Sequence, residues 1–379
     1  MQNRPPLPAQ TYRRLVVKVG SAVLSGPAGR QHQLTIAAQI AALRAEGREV
    51  VLVSSGAMAT GLGKLGLRER PQTMPAKQAI AAVGQPTLMY LWEQAFSWYN
   101  LQVAQILLTA EDLAHRHRYL NARQTLETLL RWGIVPVVNE NDTVMVEEIK
   151  FGDNDQLSAL IATLVGADLL VLFSDIEALY EADPRTHPEA QPIPYVARID
   201  AKVLDMAGES PNQVGTGGMR SKLLAAEKAQ AAGIPTLLLP GTRAESLLEA
   251  LRGVPVGTLF AGGPRRYSGQ RLWLYQLPKP RGAIVVDAGA AQALRQGGAS
   301  LLPAGILEVR GRFGVGEAVR CLDPQGQLIG IGLVNYSAAE IERIRGRKTR
   351  EIEALLGYKN TDEVIHRDYF ALASEMASR

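Results

Sequence analysis

The chain has 379 residues, 46% hydrophobic and 21% charged, with a formal net charge of +4. That length exceeds what one hydrophobic core organises, so two domains are expected, and the composition excludes a disordered chain. A single cysteine excludes an internal disulfide; without an apolar run of roughly 18 to 20 residues or a signal-peptide core after Met1, the expectation is a cytoplasmic protein with no membrane contact.

In chain order, β-branched runs at 15–19, 50–53, 103–108, 134–138, 169–173 and 236–239 alternate with stretches at 34–45, 77–96, 120–131, 154–164 and 219–232 whose apolar residues recur at helical spacing. The alternation predicts an α/β fold, a three-layer α/β/α sandwich around a mainly parallel sheet. From about residue 271 the texture changes to short strands separated by Gly turns, at 283–287, 306–310, 318–322 and 328–334, which predicts a small, mostly β second domain. The expected organisation is a catalytic domain over 1–262, a polar Gly-rich linker over 263–280, the second domain over 281–359 and a C-terminal tail over 360–379.

Open α/β sheets bind ligands at the carboxyl ends of their strands, so the residues that follow each run carry the functional reading. Lys18, beside Gly20, is either a solvated lysine or one aimed at a phosphate that the backbone approaches closely. Ser54-Ser55-Gly56-Ala57 reads as an anion-binding nest or an ordinary helix cap. Two oxygen-rich clusters follow, Asn139-Glu140-Asn141-Asp142 and Gly152-Asp153-Asn154-Asp155, more than one helix start requires. They suit accepting hydrogen bonds from an ammonium, or orienting lysines or a hydrated Mg²⁺. Ser174-Asp175 stands beside a nucleotide or caps a turn. Gly215-Thr216-Gly217-Gly218-Met219-Arg220-Ser221-Lys222, leading into an Ala/Leu helix, reads as a phosphate loop, though not a Walker A loop.

Three other patterns are set aside. Gly61-Leu62-Gly63-Lys64-Leu65-Gly66 spells a dinucleotide fingerprint but does not directly join a strand to a helix. His115 and His117 lie in a helical stretch, which points them apart and argues against a metal pair. The basic run from Arg343 to Arg350 is flanked by Glu340, Glu342, Glu351 and Glu353 and reads as a solvated surface, so nucleic acid is not an expected partner.

Val16-Val17-Lys18-Val19-Gly20-Ser21, Ser54-Ser55-Gly56-Ala57, Asn121-Ala122-Arg123, Val138-Asn139-Glu140-Asn141-Asp142, Gly152-Asp153-Asn154-Asp155 and Gly215-Thr216-Gly217-Gly218-Met219 together resemble the amino acid kinase family. The first and last are shared across that family, whereas the two oxygen-rich clusters are similar to those of its glutamate-phosphorylating members. The C-terminal part resembles the PUA domain that many bacterial members append.

The resemblance implies that Lys18, Lys222 and Asp155 are catalytic. It implies that Lys18, Ser55, Gly56, Asn139, Asp142, Asp153 and Asn154 bind glutamate. ATP would be bound by Lys18, Ser174, Asp175, Thr216, Gly217, Gly218, Met219, Arg220, Ser221 and Lys222. It further implies Mg²⁺ with ATP as co-substrate, with no metal ligand assigned, and a place at the first step of proline biosynthesis. Feedback inhibition by proline, a homo-oligomer (dimer or tetramer) and transfer of the product to the next pathway enzyme are implied too. Ser174 stands where the family often has threonine, and Arg220-Ser221 where a small residue and threonine are common. The alternatives are a sister kinase for aspartate, acetylglutamate, carbamate or uridylate, which the Asn-Glu-Asn-Asp segment disfavours, and an RNA-binding protein acting through the PUA-like part.

Overall fold

Runs of Val, Leu and Ile with no polar alternation form the central strands, buried on both faces: β1 (Arg14–Val19), β2 (Glu49–Ser54), β4 (Val135–Glu140), β5 (Leu169–Ser174) and β9 (Thr236–Pro240). The edge strand β3 (Val103–Leu108) and the short β6 (Leu179–Tyr180), β7 (Pro192–Ile193) and β8 (Tyr195–Val196) are partly exposed, and the three-residue β10 (Thr258–Phe260) is buried. The structure, a computed structural model, describes residues 4, 5, 7, 12–114, 116–144, 154–207, 218–263, 280–296, 298–359 and 361–373. The chain divides into two compact units, Met1–Leu113 with Leu120–Arg266, and Ala114–Tyr119 with Tyr267–Arg379.

In the first unit eight strands pair in the order β3-β4-β2-β1-β5-β9-β10-β8; β10 and β8 are parallel to each other and run antiparallel to the other six, the antiparallel pairing falling between β9 and β10. β6 and β7 form a separate antiparallel pair. The helices are α1 (Ser21–Leu24), α2 (Gly29–Ala45), α3 (Ala57–Leu65), α4 (Met74–Ser97), α5 (Ala110–Ala114), α6 (Arg116–Arg131), α7 (Asn154–Val165), α8 (Ala201–Asp205), α9 (Met219–Ala231) and α10 (Ser246–Leu251).

Side-chain alternation sorts β1 between two layers. Leu15, Val17 and Val19 join a core with Ile36, Ile40 and Leu43 of α2, Leu88, Trp92 and Phe96 of α4, and Leu247 of α10. The other parity turns Lys18 toward α7 and α9, which pack against each other, α7 on β1 and α9 on β5. A three-layer α/β/α sandwich results, as the alternation predicts.

The second unit is built on β11 (Gly282–Val286), β12 (Ile306–Gly311), β13 (Ala318–Leu322), β14 (Leu328–Leu333) and β15 (Phe370–Leu372), ordered β12-β11-β13-β14-β15. Its core includes Ile284, Val319, Tyr336, Ile341 and Cys321, and burial pushes the Cys321 thiol up to about 12, so it packs as an apolar side chain. β15 lies within the stretch the sequence reading takes as a tail. Gly330 and Gly332 of β14 make room for it: a Cβ on Gly330 would stand 2.2 Å from the Ala371 carbonyl oxygen. Three residues are too few for a periodic signal. Among the described residues no helix is long and apolar enough to cross a membrane.

Candidate active site

The carboxyl ends of β1, β2, β4 and β5 open onto one cleft of about 340 Å³, lined by Lys18, Gly20, Ser55, Gly56, Asn139, Asp142, Asn154, Ser174, Asp175 and Lys222 among others. Asp155, in the first turn of α7, is fully buried and forms ion pairs with both lysines: Lys18 with Oδ1, and Lys222, in the first turn of α9, with Oδ2 at 3.2 Å. Both lysines are buried too, at 2% and 5% exposure. Burial pushes the Asp155 carboxyl up, but the ammonium groups of Lys18 and Lys222 outweigh this and hold it below the usual carboxylate range. One carboxylate between two cations leaves a net positive charge facing the cleft, suited to a phosphoryl group.

Of the glycines beside this clamp, Gly20 is not required by space, since a Cβ there would meet the Lys18 Nζ at 3.6 Å, an ordinary contact. Gly56 precedes α3 with φ of 114°, which L side chains rarely adopt, and it aims the α3 N-terminus at the cleft.

At the other end of the cleft the charges give way to amides. The Glu140 backbone N–H donates to Asn139 Oδ1 at 2.9 Å, fixing that atom as an acceptor, and Asn139 Nδ2 donates to Gln85 Oε1 at 2.8 Å. Asn154 must therefore present its Nδ2 to Asn139 Oδ1, at 2.8 Å, and the same group donates to Ser55 Oγ at 3.0 Å. The consequence is a buried Asn154 Oδ1 without a hydrogen-bond partner. An unpaired buried acceptor in a cleft is suited to a ligand that brings a donor. Asp142 opens the turn Asp142–Val144, which packs against α4.

Ser174 Oγ donates to Asp175 Oδ1 at 3.2 Å, and both line the cleft at the end of β5. Gly218, Met219, Arg220 and Ser221 lead into Lys222 but do not line it; Arg220 is exposed. Asp153, Thr216, Gly217 and His115, and the side chain of His117, lie outside the described residues.

The helix at 77–96 is expected from the sequence, but its part in the site is not. Lys77 lines the cleft, Gln85 holds Asn139, and Trp92 Nε1 donates to Ser54 Oγ at 2.8 Å. These positions are spaced so that all three share one helix face with Ala81, Gly84 and Leu88. The signal was two polar residues on an otherwise apolar stripe. The glycines of the rejected fingerprint have structural duties: a Cβ on Gly61 would meet the Ile80 carbonyl oxygen at 2.0 Å, so α3 and α4 cross backbone to backbone, and Gly66 ends α3 with a positive φ.

A buried lysine–carboxylate–lysine clamp at the strand ends of a parallel sheet, beside a polar pocket, is an arrangement suited to phosphoryl transfer on an α/β/α fold. The family model described as "Amino acid kinase family" matches residues 13–239, and that of the PUA domain matches residues 282–356. The chain belongs to the amino acid kinase family. It is 85% identical over 376 residues to a protein of Meiothermus ruber named "Glutamate 5-kinase", covering 99% of this chain and 100% of that one. It is 59% identical over 370 residues to the protein of that name from Thermus thermophilus, covering 97% and 99%. Among solved structures, carbamate kinase from Giardia lamblia matches at a TM-score of 0.48 and 17% identity, over 66% of this chain and 99% of that one.

Proposed function

We propose that the chain transfers the γ-phosphoryl group of ATP to the side-chain carboxylate of glutamate, the first step of proline biosynthesis. The observation that carries this reading is the Lys18–Asp155–Lys222 clamp facing a pocket whose unpaired acceptor awaits a donor. Relatives named for this reaction, aligned over nearly the whole chain, support it.

In the reaction a carboxylate oxygen of glutamate attacks the γ-phosphorus, a new O–P bond forms, and the bond to the bridging oxygen of ADP breaks. Carboxylates are ionised at neutral pH, so no general base is required and catalysis reduces to positioning and charge neutralisation. Lys18 and Lys222 donate to oxygens of the transferring group, and Asp155 holds the two ammonium groups in place. Asp155 takes no proton: it is fully buried, and its two cations stabilise the carboxylate form. Ser55, Gly56, Asn139 and Asn154 form the glutamate end, with Asp142 and the Asn154 Oδ1 taking the α-ammonium; Asp153 is assigned there by resemblance. Ser174, Asp175 and the loop from Thr216 through Gly217, Gly218, Met219, Arg220 and Ser221 to Lys222 hold the nucleotide.

ATP-dependent kinases usually need a divalent cation, and Mg²⁺ is the one proposed. The cleft offers carboxylates of Glu140, Asp142 and Asp175 and the Ser174 hydroxyl, hard oxygen donors that fit a hydrated Mg²⁺ beside phosphate oxygens. Asp175 with Ser174 would hold it, and it would neutralise charge on the phosphates. Feedback inhibition by proline, a dimeric or tetrameric assembly, a cytoplasmic location and hand-over of the reactive acyl phosphate to the next enzyme complete the proposal, as does the division into a catalytic domain over 1–262 and a PUA domain over 281–359.

The test is an assay with ATP, Mg²⁺ and glutamate in which hydroxylamine traps the acyl phosphate as a coloured hydroxamate. The expected result is glutamate-dependent hydroxamate with stoichiometric ADP. ADP release without hydroxamate, or hydroxamate from aspartate or acetylglutamate in preference to glutamate, would overturn the reading.

A further inference from the structure

Four described cations line the cleft: Lys18, Lys222, Arg70 and Lys77. Asp155 engages the first two, and the phosphoryl group claims their remaining donors. Glutamate brings a second carboxylate, on its α-carbon, and apart from Lys18, which is committed to Asp155 and the phosphoryl group, the residues assigned to glutamate (Ser55, Gly56, Asn139, Asp142, Asp153 and Asn154) include no cationic side chain to meet it. An anion desolvated in a cleft without a counter-charge is costly, so the site needs one more positive group.

Lys77 has the required properties. It is half-buried in the first turn of α4, lines the cleft, and no described residue pairs with it. It is held on a rigid element: Gly61 and Gly84 let α4 cross α3 backbone to backbone, and two turns further along the same face Gln85 grips Asn139. Thus Lys77 is carried by the helix that also braces the amide pocket. Arg70 lines the cleft as well, but it is exposed and sits in the connection between α3 and α4.

We propose that Lys77 receives the α-carboxylate of the acceptor amino acid and thereby selects an α-amino acid over the corresponding simple amine; this rests on the reading that glutamate is the acceptor. The α-carboxylate keeps its charge throughout phosphoryl transfer, so Lys77 contributes equally to ground and transition states and its loss falls on KM. The clamp lysines differ, because they face the group whose charge is redistributed.

The experiment compares Lys77→Met, Lys77→Arg and Arg70→Ala with the parent chain in the hydroxamate assay, using glutamate and, as alternative substrate or competitor, 4-aminobutyrate, which lacks only the α-carboxylate. Lys77→Met should raise the glutamate KM roughly 10- to 100-fold, the range for losing a charged hydrogen bond, with kcat and the ATP KM within about threefold. Its kcat/KM or inhibition constant for 4-aminobutyrate should match the parent's, and Lys77→Arg should recover part of the glutamate affinity. A normal glutamate KM in Lys77→Met, an equal loss for both ligands, or a larger loss in Arg70→Ala overturns the assignment. A parent chain that makes no hydroxamate from glutamate instead overturns the underlying function, a separate and recognisable outcome.

Discussion

The two ends of the cleft solve opposite problems with opposite materials. At the phosphate end three ionised side chains are buried together, each at 5% exposure or less, and their mutual pairing offsets the cost of desolvation. At the amino-acid end a relay of neutral amides, from Glu140 N–H through Asn139 to Asn154, sets which atoms accept and which donate. Buried charge is concentrated where charge moves during the reaction, and directed amides serve where a ligand of fixed charge must only be recognised. The first end should therefore control turnover and the second affinity.

The largest effect expected from breaking this division is at the clamp. Lys18→Ala and Lys222→Ala should each lower kcat by roughly 10²- to 10³-fold, on the order of 3 to 4 kcal/mol, with little change in the glutamate KM. Steady-state kinetics reads this directly, and a variant with near-normal kcat would remove its lysine from the clamp. Next comes Asp142→Asn, which weakens the acceptor for the α-ammonium by about 1.5 to 3 kcal/mol. Proline also carries an α-carboxylate and a charged amine, so at an overlapping site its inhibition should weaken together with the glutamate KM while the ATP KM holds. Inhibition unchanged against a raised KM would place proline elsewhere.

A smaller effect sharpens the comparison. Gln85 acts through Asn139, as a positioning residue, and what it supplies is an acceptor. Gln85→Glu keeps an oxygen opposite Asn139 Nδ2, whereas Gln85→Met fills the same space without one, leaving a buried donor unpaired at a cost of about 1 to 3 kcal/mol. The glutamate KM should rise several-fold more in the methionine variant. If Gln85 only packs, the order reverses, because the apolar side chain would then be the milder change.

These regions also differ in how far the sequence reveals them. Lys18, Asp155 and Lys222 stand at strand ends and helix starts, where an α/β alternation already directs attention, and the sheet and its layers follow from the same runs. That one carboxylate bridges both lysines depends on contacts across 137 and 67 positions, for which local periodicity carries no information. α4 was the harder case. Its Ala/Leu-rich pattern is that of a core helix, and only folding places Gln85 against a residue 54 positions away. The antiparallel β10 and the three-residue β15 were illegible for another reason: strands this short are fixed by the neighbours they complete.

The most direct test of the division between turnover and affinity is equilibrium binding of glutamate to Lys222→Ala, measured by calorimetry without nucleotide on a preparation shown by circular dichroism to be folded. If the clamp acts on the moving phosphoryl group and the amide end on recognition, the dissociation constant should stay within about threefold of the parent chain's although turnover has collapsed. A dissociation constant weakened by as large a factor as kcat falls would show that Lys222 holds glutamate itself, and that the two ends of the cleft are not separate.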